Sequence, residues 1–496
     1  MNAPVTLAAA TLGSLPAHVT VPTYDRSEIT TGIVHFGVGG FHRAHQAMYV
    51  DTLLNTGKAR EWGICGVGVM PGDKRMKGAL DAQDGLYTLV SRHSDGTWDA
   101  RIIGSIVEYL YAPDDPEAVI EKMAAPGTRI VSLTVTEGGY NLRHDTGEFD
   151  ASHPAVQHDL TSGAPTTTFG LVIAALARRR ERGLPSFTVM SCDNIEGNGH
   201  VARKVFTAFA ELKDPGLAEW MRANTTFPNS MVDRITPVTT PEVTAAITER
   251  LGIDDRWPVV AEPFTSWVLE DEFADGRPEF DAAGVHLVTD VAPYELMKLR
   301  LLNASHQGLC YFAYLAGYRL VHDAASDPLF SAFLLDYMNR EATPTLKPVP
   351  GVNLDEYKKT LIERFSNPEI ADTIARLCAE SSDRIPKWLL PVIRENLAKD
   401  GDIRLSAAIV ASWARYAEGV DEHGQPIEVV DQLRNTLVPL AQRQRDEPLV
   451  FVKNTSVFGA LADEPRFTEA YTWALDSLHR DGARATLEKL VSAPVR

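Results

Sequence analysis

The stretch Tyr294-Glu-Leu-Met-Lys-Leu-Arg-Leu-Leu-Asn-Ala-Ser-His306 gathers side chains that could move a proton. It is built of good helix formers, its apolar residues recur at three and four positions, and it holds no Gly or Pro. Wound as an α-helix at about 100° per residue with Lys298 at the origin, Glu295 falls near ~60°, His306 near ~80° and Asn303 near ~140°. Arg300 points away at about 200°. A carboxylate, an amine, an imidazole and an amide thus share one face of a largely apolar helix. Burying them together is costly unless they satisfy one another or a ligand. One reading is a buried polar network or a solvated stripe. The other is a proton-transfer site, with Lys298 as base and Asn303 and His306 donating hydrogen bonds to a polarised oxygen. A free lysine, with a pKa of about 10.4, is too basic for that task near neutrality. Burial would bring it down, and an ionised Glu295 nearby would oppose the change.

Such a helix needs a partner to bind the rest of the reactants, and the N-terminal part of the chain offers one. Residues 31–36 are a short β-branched and aromatic strand, followed by Gly37-Val-Gly-Gly-Phe-His-Arg-Ala-His45 and then a helical pattern to about residue 56. Strand, glycine turn and helix open a dinucleotide-binding unit, with Phe36, Gly37, Gly39 and Gly40 as the residues facing the nucleotide. Gly37 permits the tight turn, and Gly39 lets the backbone approach a pyrophosphate. His42 stands where a third glycine is usual. A second strand, 62–69, is followed by Asp73. A carboxylate there would bond the ribose hydroxyls and repel a 2′-phosphate, or it is a surface turn residue of Pro71-Gly-Asp-Lys.

Further strands are expected at 129–136, 186–192 and 257–263, with an antiparallel excursion of the sheet over 86–111 around Asp95-Gly96. Residues 1–30 read as an irregular lead-in and 227–237 as a partly buried loop. Asp193-Asn194 ends the strand at 186–192, where ligands of open α/β sheets lie. From about residue 292 the alternation gives way to amphipathic helical segments: 295–318, 328–340, 354–365, 368–380, 386–399, 403–418, 428–445 and 465–490. The expected fold class is therefore α/β, a Rossmann-type dinucleotide-binding domain over 1–290 followed by a mainly α-helical substrate-binding and catalytic domain over 291–496.

Composition narrows the function. The 496 residues carry a formal charge of −18, which argues against nucleic acid or an anionic membrane as partner. No basic residue precedes Arg26 and no apolar run spans a bilayer, so a cytoplasmic protein is expected. Four cysteines lie far apart without paired spacing, which suggests neither a thiolate metal site nor a disulfide framework. His42-x-x-His45 has metal-binding spacing but no evident third ligand, so packing histidines are expected and no metal. Tyr294-x-x-x-Lys298 matches the catalytic pair of short-chain dehydrogenases, but it lies more than 250 residues beyond the glycine turn. No serine stands between 267 and 304 to complete that triad.

Several motifs in order carry a more specific signal. Ile33-Val-His-Phe-Gly-Val-Gly-Gly-Phe-His-Arg-Ala-His-Gln46, Ser191-Cys-Asp-Asn194 with Asn198-Gly199, Met231-Val-Asp-Arg-Ile-Thr-Pro237, Tyr294 to His306 and Pro386-Lys387 together resemble the polyol-specific long-chain dehydrogenases. The resemblance runs from about residue 28 into the C-terminal region. It implies NAD as cofactor, a polyol or ketose as substrate, no metal, and a monomer. It also implies Lys298 as general base, Asn194 and Asn303 as an oxyanion hole, His306 as a substrate-positioning residue, and Glu295 as a neighbour governing water and proton access. Asp233, Arg376 and Arg384 match further substrate-binding positions. At 384 the family often carries Lys; the planar fork of Arg keeps the charge but changes its shape.

Overall fold

The computed structural model describes residues 3–143 and 147–492. Two compact units make up the chain, 1–292 and 293–496.

The first unit is organised by five parallel strands: β1 (Thr31–Phe36), β2 (Gly63–Gly68), β5 (Ile106–Tyr111), β6 (Ile130–Leu133) and β7 (Thr188–Ser191). The strands β3 (Tyr87–Arg92) and β4 (Trp98–Ile103) intervene in sequence. The spatial order is β5-β2-β1-β6-β7, with every neighbouring pair parallel. The chain winds outward from β1 through β2 to β5, then crosses back to β6 on the other side of β1. The switch point between β1 and β6 is where open α/β sheets bind ligands.

Helices cover both faces, as a parallel sheet requires. Ile33, Ile64 and Ile130 face a core that includes Ala47, Val50 and Leu53 of α2 (Gln46–Leu54). Their strand neighbours Val34, Phe36, Val131 and Val189 face the opposite core. There they join α4 (Pro116–Ala124), α5 (Thr168–Glu181) and α6 (Asn198–Lys213), which follow α1 (Gly40–Ala44), α2 and α3 (Asp73–Asp81) in the chain.

Several local expectations are corrected. The 86–111 excursion does not extend the main sheet: β3 and β4 form an antiparallel hairpin in a separate sheet, with β9 (Val259–Ala261) parallel to β3, and only β5 returns to the main one. The 227–237 segment is not a loop throughout. It contains β8 (Ser230–Asp233), which pairs antiparallel with β10 (Ser266–Glu270). The lead-in is not wholly irregular, since Val5–Thr6 pairs in parallel with Ile253–Asp254.

The second unit is helical. It begins with α7 (Ala292–Met297), a π-helical turn over Lys298–Asn303, and α8 (Ala304–Leu315). α9 (Pro328–Tyr337) runs into a second π-turn over Met338–Ala342. Then come α10 (Leu354–Phe365), α11 (Ile374–Cys378), α12 (Ser381–Trp388), α13 (Leu390–Ala398), α14 (Arg404–Tyr416) and α15 (Pro465–Ser492). Every residue of α14 after its first is buried; a helix buried on all sides belongs at the centre of a bundle. The helix expected at 295–318 is thus interrupted by a π-turn. The one expected at 386–399 divides at Leu389, where Pro391 suits a new first turn.

Two glycines test this packing. A Cβ on Gly199 would lie 2.4 Å from the Phe227 carbonyl oxygen and 2.5 Å from that of Pro228, so α6 approaches that backbone as closely as it does because Gly199 lacks one. Gly78, exposed on α3, has open space around it. In urea unfolding, Gly199→Ala should cost about 1–3 kcal/mol through overpacking. Gly78→Ala should gain roughly 0.5–1 kcal/mol from helix propensity.

Candidate active site

At the switch point the turn after β1 is set by Gly37, whose φ of +91° and approach to the Thr134 carbonyl (2.1 Å from a hypothetical Cβ) exclude any side chain. The Gly39 amide donates to the Gly37 carbonyl at 2.7 Å. Thr134 Oγ1 also donates to that carbonyl, at 2.8 Å. Gly39 is exposed, and a Cβ there would meet only the Gly37 carbonyl oxygen, at 3.9 Å. That bare backbone, followed directly by α1, fits the close approach of a dinucleotide's phosphates.

Beneath the turn, His35 of β1 stacks on His42 of α1 with ring centroids 3.4 Å apart. His42 stands where the third glycine is usual, and this stacking is how the helix is packed on the strand without it. Burial pushes the His35 imidazole down to about 3 and holds His42 well below the ordinary histidine range. Both rings are therefore neutral near pH 7. His35 bonds Ser132 Oγ at 2.8 Å and Thr134 Oγ1 at 2.9 Å, tying β1 to β6 and its C-terminal extension. His45 Nε2 lies 2.8 Å from the Ser266 carbonyl. Among the described residues no group of three or more His, Cys, Asp or Glu could hold a metal ion.

Asp73 is the first residue of α3. Its Oδ2 accepts from the Val69 and Met70 amides, each at 2.9 Å, so the carboxylate folds the loop after β2. Asn194 is exposed just beyond β7. Asp233, the last residue of β8, is buried opposite Ser266.

In the second unit the π-turn carries Lys298 and Asn303, only 7% and 5% exposed. The Ala304 amide reaches the Leu299 carbonyl, the i→i+5 bond of a π-turn. That widening alters the expected wheel. Residues five apart, about 140° out of line in an α-helix, are brought close to one face by the wider turn, and Asn303 swings back toward the side of Lys298. The Asn303 Nδ2 is buried with no hydrogen-bond partner. An orphaned amide donor in a buried position is a group in want of an acceptor.

Arg300 does point away, and it anchors the turn. Its Nη1 donates to the Thr345 carbonyl at 2.8 Å and its Nη2 to Glu395 at 2.6 Å, while the Tyr337 hydroxyl donates to the Arg300 carbonyl at 3.2 Å. His306 packs its ring on Phe365, centroids 4.5 Å apart. Glu295 is half-buried. The Tyr294 hydroxyl donates to the Pro350 carbonyl at 2.8 Å, so its proton is committed to structure.

The two arginines are also engaged. Arg376 is exposed and pairs through both arms of its fork with Asp372, one turn away. Arg384 donates to the carbonyls of Arg376 (3.3 Å) and Leu377 (3.0 Å), near the C-terminal end of α11. The anchoring roles of Arg300, Tyr337 and His35 are not legible in the sequence, because each depends on a partner distant in the chain.

Comparison with known proteins agrees with this geometry. The mannitol dehydrogenase Rossmann domain family matches residues 31–282, and the mannitol dehydrogenase C-terminal domain family matches 290–479. The mannitol 2-dehydrogenases of Aspergillus fumigatus and Pyricularia oryzae are each 46% identical, over 96% of this chain and 96% of theirs. The solved ternary complex of Pseudomonas fluorescens mannitol 2-dehydrogenase with NAD and D-mannitol is 44% identical, with a TM-score of 0.89 over 99% of this chain and 100% of that one. A substrate-free D-sorbitol dehydrogenase is 40% identical, with a TM-score of 0.91 over 97% of this chain and 100% of its own. Both domains of the family are present in order and nearly end to end, and the chain belongs to the mannitol dehydrogenase family.

Proposed function

We propose that this protein is an NAD-dependent polyol dehydrogenase that interconverts D-mannitol and D-fructose. The observation that carries the reading is the 44% identity, over essentially the whole length, to an enzyme solved with NAD and D-mannitol. The bare backbone at Gly39, the turn imposed by Gly37 and the neutral histidine pair below it support the nucleotide site, with Phe36 and Gly40 flanking the turn. Asp73 supports a preference for NAD, since a second anion near it would be repelled. When bound, the nicotinamide accepts hydride from the alcohol carbon.

The protein's own groups handle the proton and the charge. In alcohol oxidation Lys298, as the neutral amine, takes the hydroxyl proton. Asn303 offers its unpaired amide N–H to the oxygen as negative charge develops there, a contribution of about 3–4 kcal/mol where such donors have been removed. Asn194 is read as a second amide donor. His306 and Asp233 orient the substrate hydroxyls, and Glu295 governs proton exchange with water. Arg376 and Arg384 hold the segment around α11, from which they bear on substrate preference. D-sorbitol is the second reading, favoured by the D-sorbitol dehydrogenase match.

A panel of D-mannitol, D-sorbitol, D-arabitol, D-fructose and D-fructuronate, assayed with NAD(H) and NADP(H) by nicotinamide absorbance, tests the assignment. The highest kcat/KM should be on mannitol and fructose with NAD(H). A higher value on sorbitol would move the assignment to the second reading, and no turnover on any substrate would indicate a dinucleotide-binding protein without catalysis.

A paired substitution tests the π-turn. Asn303→Ala should lower kcat by about 100-fold or more with little change in NAD affinity. Tyr337→Phe, which removes the bond to the Arg300 carbonyl, should lower kcat more modestly and have almost no further effect in the Asn303→Ala background. Additive losses would mean that Tyr337 does not act through the turn.

A further inference from the structure

One residue of the nucleotide-binding unit is held where its type does not belong. Thr136, just past β6, has φ 64° and ψ 170°, a region that is essentially reserved for glycine. A β-branched residue stays there only if its surroundings dictate it.

The surroundings are supplied by a single carboxylate. Asp193, buried beyond the end of β7, accepts the Thr136 amide on Oδ1 at 2.7 Å. On Oδ2 it accepts the Val135 amide at 3.2 Å and the Tyr140 hydroxyl at 2.7 Å. Tyr140 is itself fully buried and bonds Ser191 Oγ, closing the loop back to β7. The main chain of Asp193 is gripped as well. Asn198 Nδ2 donates to its carbonyl at 2.9 Å and to the Ser230 carbonyl at 2.7 Å, and Asn198 Oδ1 accepts the Ser230 amide at 2.9 Å. Asp193 therefore joins the carboxyl ends of β6 and β7, and through Asn198 the start of β8.

We propose that Asp193 is a positioning residue for the reaction: its carboxylate holds Val135 and Thr136 in their strained path and so fixes the strand-end backbone from which Asn194 is presented. This rests on the reading of Asn194 as an amide donor. The strain has a direct consequence, because glycine adopts the Thr136 conformation without needing to be held there.

The test is a cycle of Asp193→Asn and Thr136→Gly in the full-length enzyme. It reads kcat, KM and NAD dissociation by fluorescence titration, together with urea unfolding to normalise for folded protein. An amide at 193 puts an NH2 group, which only donates, where one carboxylate oxygen accepts, so it cannot satisfy all three partners. Asp193→Asn should lower kcat between about tenfold and 100-fold, with NAD dissociation changed less than about threefold. In the Thr136→Gly background the same substitution should cost about threefold or less. Equal losses in the two backgrounds would overturn the proposal. So would a loss of stability with kcat and KM per folded enzyme unchanged, which describes a merely structural residue. Asn194→Ala, run alongside, separates the failures. Full turnover there would overturn the reading of Asn194 and the inference resting on it. Reduced turnover there with equal Asp193→Asn losses would overturn the role of Asp193 alone.

Discussion

Lys298 and Asn303 stand five positions apart, and the second unit depends on how that spacing is wound. An ordinary α-helix would turn the two about 140° apart. The π-turn, closed by the Ala304 amide on the Leu299 carbonyl, brings Lys298 and Asn303 toward a common side. Such a turn is rare because its backbone bonding is less favourable than that of the helix on either side. It must be held. Arg300 holds it from the back, with its guanidinium on the Thr345 carbonyl and Glu395 and its own carbonyl taking the Tyr337 hydroxyl. Tyr337 in turn leads into the second π-turn, so one irregularity of the helical unit is braced against another. The buried Asn303 amide has no partner in the resting protein, and in the function proposed above its cost is recovered when an oxygen bearing charge arrives.

The nucleotide-binding unit solves a different problem with the same economy. Side chains are excluded at Gly37 and absent at Gly39, which leaves the backbone of its turn bare. The helix that follows must still pack on the strand that precedes it. Two stacked imidazoles do this, and burial keeps them uncharged. The sheet can then run close-packed to its carboxyl edge, where His35, Ser132 and Thr134 lock β1 to β6 and the segment beyond it.

Much of this was legible in the sequence, and the reasons are local. The β1 strand, the glycine turn and the helices at 354–365 and 403–418 announce themselves through short-range periodicity and through glycines that nothing else can replace. The motif around Lys298 was recognisable by its residue types. Its winding was not, because nothing in Lys-Leu-Arg-Leu-Leu-Asn distinguishes a π-turn from an α-turn; the choice is made by Tyr337 and Glu395, 37 and 95 positions away from Arg300. The β8 strand is not legible because its four residues carry too little alternation, and its pairing with β10 is long-range. The hairpin of β3 and β4 was visible at Asp95-Gly96, yet its sheet was not, since the third strand of that sheet, β9, lies far downstream. Asp193 read as the end of a strand, and only the path of Thr136 reveals what its carboxylate is for.

Catalysis as proposed rests on Lys298 as the group that takes and returns the proton. Its most direct test is the pH dependence of kcat/KM for mannitol oxidation and for fructose reduction, in the wild type and in Lys298→Ala, with and without added methylamine. Oxidation needs the neutral amine and reduction needs the ammonium, so wild-type oxidation should rise with pH to a plateau while reduction falls over the same interval. In Lys298→Ala both directions should drop by several orders of magnitude, and methylamine should restore part of the loss. A Lys298→Ala enzyme that keeps near wild-type rates and the same pH profile would contradict the account.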